Sequence, residues 1–223
     1  MDSEPGPAIR YKKRQRDRLI ALAAERADWV VGYQDEVWWS RFAQPSMHAW
    51  SEDPLRLVQR TRRREDAEPA ALACYGVYVP KWAGEVSGSM LKASSMLLRF
   101  VDGRPVSHVT TAFLAWASRR MSARGVRVWV LVWDNAPWHV SAEVRSWIAA
   151  HNAAVKRRGT GVRIVVCGLP TRSPWLNAIE PKWLHGKRAT CEPDGEVTRR
   201  ELRSRLCAHY GCENLATIKQ KTP

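Results

Sequence analysis

Two apolar runs constrain this chain more than any other feature. Val126–Trp133 reads VRVWVLVW and Val162–Cys167 reads VRIVVC. Each is short and rich in branched and aromatic side chains, as expected of a strand buried on both faces. Between them, Val140–Arg158 carries apolar residues at helical spacing. Strand, helix, strand predicts a crossover between parallel neighbours, and with it an α/β domain.

Upstream the pattern changes. Trp29–Tyr33, Met47–Trp50, Leu72–Val79 and Met96–Val101 read as short strands, separated by polar stretches over 51–70 and 80–95. Asp102-Gly103 is a turn signal. Val109–Arg124 has Phe113, Leu114, Trp116 and Ala117 at helical spacing, with Gly125 as a stop. Further helices are expected over about Ile9–Asp28, from about Asn177, and over about Thr198–His209. The early strands should pair antiparallel and the later ones parallel, giving one mixed sheet. The expected organisation is a basic tail and helix over 1–28, a central domain over 29–190, and a C-terminal helix and tail over 191–223.

Charge narrows the partner. The 223 residues hold 36 Lys and Arg against 22 Asp and Glu, a formal net charge of +14. Such an excess favours a polyanion, because each neutralised phosphate releases counterions. The longest apolar runs are too short to cross a bilayer, no basic helix carries a wide apolar face, and the N-terminus lacks the apolar core of a signal peptide. Nucleic acid in the cytoplasm is the expectation, with no membrane. The five cysteines are odd in number and form no C-x-x-C pair, which argues against a disulfide framework. Cys191, Cys207, His209 and Cys212 match no standard zinc spacing, so free thiols are the plainer reading.

Three acids stand where buried strands end or the next helix begins. Asp35 follows Trp29–Tyr33, Asp134 follows Val126–Trp133, and Glu180 follows Val162–Cys167 by a proline-rich turn. Ligands gather at the carboxyl ends of strands in α/β sheets. Three carboxylates brought together repel unless a cation sits among them, and hard oxygen donors select Mg²⁺ or Mn²⁺. A pair of such ions suits in-line phosphoryl transfer. Duller roles compete. Asp134 can close an Asx-type turn. Asn177 and Glu180 are spaced as a helix capping box. Glu36 rivals Asp35, and because successive strand residues face opposite ways, only one of the two can join the cluster.

The strings DNAPWH (Asp134–His139) and LPTRSPWLNAIEPKW (Leu169–Trp183), with YQDEVWWS (Tyr33–Ser40), resemble the signatures of DDE transposases. More narrowly, they resemble those of the bacterial insertion-sequence group related to mariner elements. The resemblance covers about residues 9–190. It implies a ribonuclease H-like fold: a mixed five-stranded sheet, its first three strands antiparallel, with helices on both faces. It implies that Asp35, Asp134 and Glu180 hold two Mg²⁺ or Mn²⁺ ions, with Asp35 preferred over Glu36. The implied activity is cleavage at transposon ends and strand transfer into target DNA, by a homodimer associated with the bacterial nucleoid. Arg172 and Ala178 depart from the pattern, where Tyr and Pro are common, and the segment between the second and third acids is long. Relatives carry a helix-turn-helix region where this sequence shows one basic helix. A separately encoded end-recognition subunit, or a shortened copy acting as a DNA-binding or dimerising regulator, is therefore also expected.

Supporting roles follow from position. Asn135 suits the turn after Asp134, His139 suits holding a metal-bound group or a phosphate, and Asn177 suits a cap. Arg62, Arg63 and Arg64, then Lys182, Lys187 and Arg188, are the expected phosphate contacts. Trp129, Trp133, Trp147 and Trp183 read as core, whereas Trp38, Trp39, Trp138 and Trp175 flank the acids and read as walls of the site.

Overall fold

The computed structural model describes residues 7–42, 62–82, 95–171, 173–190 and 197–220. The expected strand Met47–Trp50 and residues Arg172 and Cys191 lie outside them. The elements are α1 (Pro7–Ala24), β1 (Trp29–Ser40), β2 (Ala71–Tyr78), β3 (Met96–Asp102), α2 (Ser107–Ser122), β4 (Val128–Trp133), α3 (Ala142–Arg158), β5 (Arg163–Gly168), a 3-10 turn (Pro174–Leu176), α4 (Glu180–Thr190), α5 (Arg199–Tyr210) and β6 (Ile218–Lys219).

Among the described residues the strands form one sheet in the order β5-β4-β1-β2-β3-β6. β1 pairs antiparallel with β2, and β2 with β3. β4 lies parallel to β1, and β5 parallel to β4. The mixed sheet expected from the sequence is thus present, with a sixth strand in place of the expected five. That addition is the two-residue β6, which joins the free edge of β3 at Val101 and Asp102. Nothing in its sequence, Ile218-Lys219, sets it apart from a tail.

Each sheet face has its own apolar layer. One holds Val30, Trp129, Leu131 and Trp133 against Val109, Phe113 and Leu114 of α2 and Val144 and Ile148 of α3. The other holds Tyr33, Val37, Trp39, Val130 and Val132 against Ala23 of α1, Trp183 of α4 and Leu202 and Leu206 of α5. Alternation along each strand divides the residues this way, so helices cover both faces.

β1 is the main departure. The polar residues after Tyr33 read as a strand end, yet β1 continues to Ser40. Its pairing with β2 runs from Tyr33–Tyr78 to Ser40–Ala71, which satisfies the backbone through the polar stretch, and Val37 and Trp39 return to the core. Asp35 therefore sits within the strand rather than after it. The third helix starts at Ala142, where Ser141 Oγ accepts from Val144 N at 3.2 Å as an N-cap. His139 accordingly lies in the loop before the helix. α1 turns part of its basic run inward: Lys12 Nζ donates to Leu169 O at 3.2 Å and Arg16 Nη1 to Leu176 O at 3.1 Å.

Candidate active site

The parallel pairing of β1 and β4 ends at the rung Tyr33–Val132. Asp35 and Asp134 each lie two residues beyond that rung, so the sheet itself brings them to the same level. β5 ends beside Trp133 at Gly168, and the chain then runs through Leu169, Pro170 and the 3-10 turn into α4. Asp35, Asp134 and Glu180 line one cavity of 260 Å³, together with Asn135, Ala136, Leu169, Pro170, Thr171, Ser173, Pro174 and Asn177. Among the described residues, no three His, Cys, Asp or Glu side chains stand close enough to hold an ion as they are. The acids share a cavity wall without being drawn onto a common point.

Their environments differ. Asp134 Oδ1 accepts from Ala136 N at 2.9 Å, closing the expected turn, and from His139 Nδ1 at 2.7 Å. The His139 contact holds the Asp134 carboxyl below the ordinary range, against a smaller opposing effect of burial. Asp35 Oδ2 accepts from Trp183 Nε1 at 3.0 Å. Burial first, then the charges of Glu36 and Glu180, push Asp35 up to about 7. Burial also raises Glu180, with Asp134 adding to it and Lys187 opposing it.

Glu36 faces away from Asp35, on the side where α2 and α3 pack, and its side chain is 8% exposed. Its Oε1 accepts from Gln34 Nε2 at 2.8 Å and His139 Nε2 at 2.9 Å, and its Oε2 from Trp138 Nε1 at 3.0 Å. His139 is buried and stacked on Trp133 at 4.5 Å. Burial on its own would depress this imidazole, but the bonds and charges of Asp134 and Glu36 outweigh it and raise His139 to about 9. Below that pH the ring carries a proton on each nitrogen and donates to both carboxylates.

Asn177 departs from its expected role as a cap. Its Nδ2 donates to Gln34 O at 3.1 Å, tying the turn before α4 to β1, and α4 begins at Glu180. Asn177 instead closes the Pro174–Leu176 turn, its N–H donating to Pro174 O at 2.8 Å, and its side chain is buried. Asn177 Oδ1 is buried without a partner among the described residues. Asn135 Nδ2 donates to Leu169 O at 2.7 Å, binding the loop after β4 to that after β5.

The expected phosphate contacts are scattered. Arg62, Arg63 and Arg64 are exposed before β2, and Lys187 and Arg188 are exposed on α4. Lys182 lies over the Tyr78 ring at 4.8 Å. Trp39, Trp129, Trp133 and Trp183 are buried, whereas Trp175 is 72% exposed beside the cavity. Trp183 was legible as core but not as the partner of Asp35. The ring packs over Gly76, the residue paired with Asp35 across β2, where any Cβ would collide with it. The described cysteines are free thiols.

A family model for DDE superfamily endonucleases matches residues 74–197, more than half of the chain. The chain belongs to the DDE superfamily endonuclease family. The matched segment of this endonuclease-family chain contains Asp134 and Glu180 and begins after Asp35. Among solved structures, it resembles the Mos1 transposase paired-end complex with left transposon end at 12% identity and a TM-score of 0.59. That likeness covers 96% of this chain and 57% of the other. It resembles the Mos1 mariner paired end complex with Mn at 11% identity and a TM-score of 0.56, over 95% and 57%. The catalytic domain of Mos1 mariner transposase matches at 13% identity and a TM-score of 0.52, over 96% and 86%. These likenesses establish the shared ribonuclease H-like fold. The chain thus spans just over half the length of the longer Mos1 chains. No curated protein matches its sequence.

Proposed function

We propose that this chain is the catalytic part of a transposase that cuts DNA at transposon ends and joins the freed ends to target DNA, with Asp35, Asp134 and Glu180 as its catalytic acids. The observation that carries this reading is the meeting of those three side chains, from β1, the end of β4 and the start of α4, on one cavity of a DDE endonuclease-family domain. The charge of +14 suits a DNA substrate. The Mos1 complexes carry transposon ends, and another Mos1 structure is a strand transfer complex.

The donors fit a hard divalent cation. Three carboxylates and Asn177 Oδ1, unpartnered among the described residues, offer only oxygen, and Asp35 is raised by burial and by neighbouring negative charge that a cation would neutralise. Asp35, Asp134 and Glu180 would hold Mg²⁺ or Mn²⁺, two ions in the full site. Bound there, the metal supplies activation of the attacking hydroxyl and stabilisation of the leaving oxygen. The protein's own part is to keep Asp134 ionised through His139, to hold Asp35 on Trp183, and to anchor the loop before Glu180 through Asn177, Lys12 and Arg16. Arg62, Arg63, Arg64, Lys182, Lys187 and Arg188 would track phosphates. A bacterial insertion-sequence origin, action as a homodimer in the cytoplasm, and a helix-turn-helix partner belong to the same reading. Among the described residues no helix is long and apolar enough to cross a membrane.

The test is a cleavage and strand-transfer assay on the element's terminal repeats with Mg²⁺, comparing the wild type with Asp134→Asn. Cleavage by the wild type alone supports the reading. Cleavage that survives the substitution contradicts it. DNA binding without cleavage by either protein would favour the regulator.

A further inference from the structure

Glu36 and His139 take no direct part in the three-acid cavity, yet they form the most heavily bonded polar cluster near it. Three N–H donors converge on the Glu36 carboxylate, from Gln34, Trp138 and His139, at 2.8 to 3.0 Å. A carboxylate with both oxygens so occupied is a poor candidate for a metal ligand, and alternation along β1 turns it away from Asp35. His139 has no exposed side-chain surface. It is stacked on Trp133 with an interplanar angle of 9° and meets the edge of Trp138 at 6.1 Å. Its two ring nitrogens are spent on two acids 98 positions apart in the chain, Glu36 and Asp134. Asp134, by contrast, has a side chain 57% exposed. Its Oδ1 is fixed from two sides, by Ala136 N and His139, so the remaining oxygen has one arc left in which to lie.

Resting on the metal-site reading above, we infer that Glu36 is a positioning residue: acting through His139, it orients the Asp134 carboxylate so that its second oxygen is presented to the cavity. The chain of contacts runs from Glu36 to His139 to Asp134, clamped by the Trp133 face and the Trp138 N–H. Such outer partners fix ligand geometry and are worth about 10- to 100-fold in metal affinity or activity. The acid next to Asp35 thereby has a function of its own, distinct from ligation.

The experiment is Mn²⁺ titration of the full chain, followed by electron paramagnetic resonance, for the wild type, His139→Ala, Glu36→Ala, Glu36→Gln and Trp138→Phe. The Mg²⁺ dependence of DNA nicking is measured in parallel. His139→Ala and Glu36→Ala should weaken Mn²⁺ binding about 10- to 100-fold and raise the Mg²⁺ needed for half-maximal nicking by the same factor, with a smaller loss at saturating metal. Glu36→Gln should recover most of the loss of Glu36→Ala. Its carboxamide oxygen accepts from Trp138, while its amide donates to Gln34 Oε1, once that amide turns over, and to a neutral His139 that keeps Nδ1–H on Asp134. Trp138→Phe removes one donor from a half-buried position and should cost about 5-fold. It remains informative if His139→Ala fails to fold. Wild-type Mn²⁺ affinity in a folded His139→Ala overturns the inference alone. Failure of Glu36→Gln at the level of Asp134→Asn would make Glu36 a ligand and overturn it too. A wild type that binds no Mn²⁺ overturns the metal-site reading, and the inference with it.

Discussion

Asp134 and Asp35 stand at the same level of neighbouring parallel strands, yet they are prepared in opposite ways. Asp134 is wired: its Oδ1 receives a backbone N–H and an imidazolium N–H, and it is held below the ordinary carboxylate range. Asp35 is crowded: the Glu36 backbone N–H and the Trp183 indole N–H support it, but burial and like charge outweigh them and push it up to about 7. The difference teaches that one side of the cavity carries its own counter-charge, whereas among the described residues no cationic group bonds Asp35. A cation entering the cavity gains most from Asp35 and finds Asp134 already aimed.

The largest expected effect falls on the wired side. Asp134→Asn keeps the size of the side chain but removes the charge, and should lower metal-dependent cleavage at least about 100-fold, the equivalent of about 2.7 kcal/mol of lost charge stabilisation. A single-turnover nicking assay reads it. On the crowded side, the clearest effect is on stability. Because Asp35 is raised in the folded state, its contribution is most favourable below the ordinary carboxylate pKa of 3.8 and is lost as the pH rises through about 7. The cost above that pH is on the order of 4 kcal/mol. In chelator, Asp35→Asn should therefore melt above the wild type at pH 8, and the two melting curves should converge near pH 4. Added Mn²⁺ should stabilise the wild type at pH 8 and leave Asp35→Asn little changed. Equal pH dependence in both proteins would remove the contrast.

A smaller effect sharpens the contrast from the Asp35 side. Trp183→Phe keeps the ring that packs against Trp39 and Tyr210 but removes the N–H to Asp35. A loss of about 10-fold in cleavage is expected, since a hydrogen bond to a charged group is worth about 1.5–3 kcal/mol. The smallest effect is at Ser141, which caps α3 just after the His139 loop. Ser141→Ala should cost about 1 kcal/mol of stability by denaturant unfolding with Mn²⁺ affinity unchanged. A change in affinity there would show that the loop, rather than the Glu36–His139 pair, governs Asp134.

Much of this was readable in the chain. VRVWVLVW and VRIVVC are continuous apolar runs, so β4, β5 and the crossover between them follow from local pattern alone, but only β4 is buried on both faces: β5 lies at the sheet edge and leaves Val166 exposed. Asp134 follows β4 directly and is legible for the same reason. β1 was harder, because Gln34, Asp35 and Glu36 look like the end of a strand until β2 is seen to pair alongside them. The choice between Asp35 and Glu36 lay beyond periodicity, since alternation says that they diverge without saying toward what. What the fold adds is partners far away in sequence: Trp183 for Asp35, and Trp138 and His139 for Glu36. Asn177 and Glu180 have the spacing of a capping box, and only burial against β1 shows Asn177 used otherwise. Local rules find elements, whereas side-chain partners across more than a hundred residues depend on the finished fold.

The central claim is that Asp35 and Asp134 share a cation. A crystal of the full chain soaked in Mn²⁺ and measured for anomalous scattering tests it most directly. The account predicts a peak in the cavity bounded by carboxylate oxygens of Asp35 and Asp134, with Glu36 still bonded to His139. A peak held by Glu36, or a cavity without manganese while Mn²⁺ binds elsewhere on the protein, would contradict it.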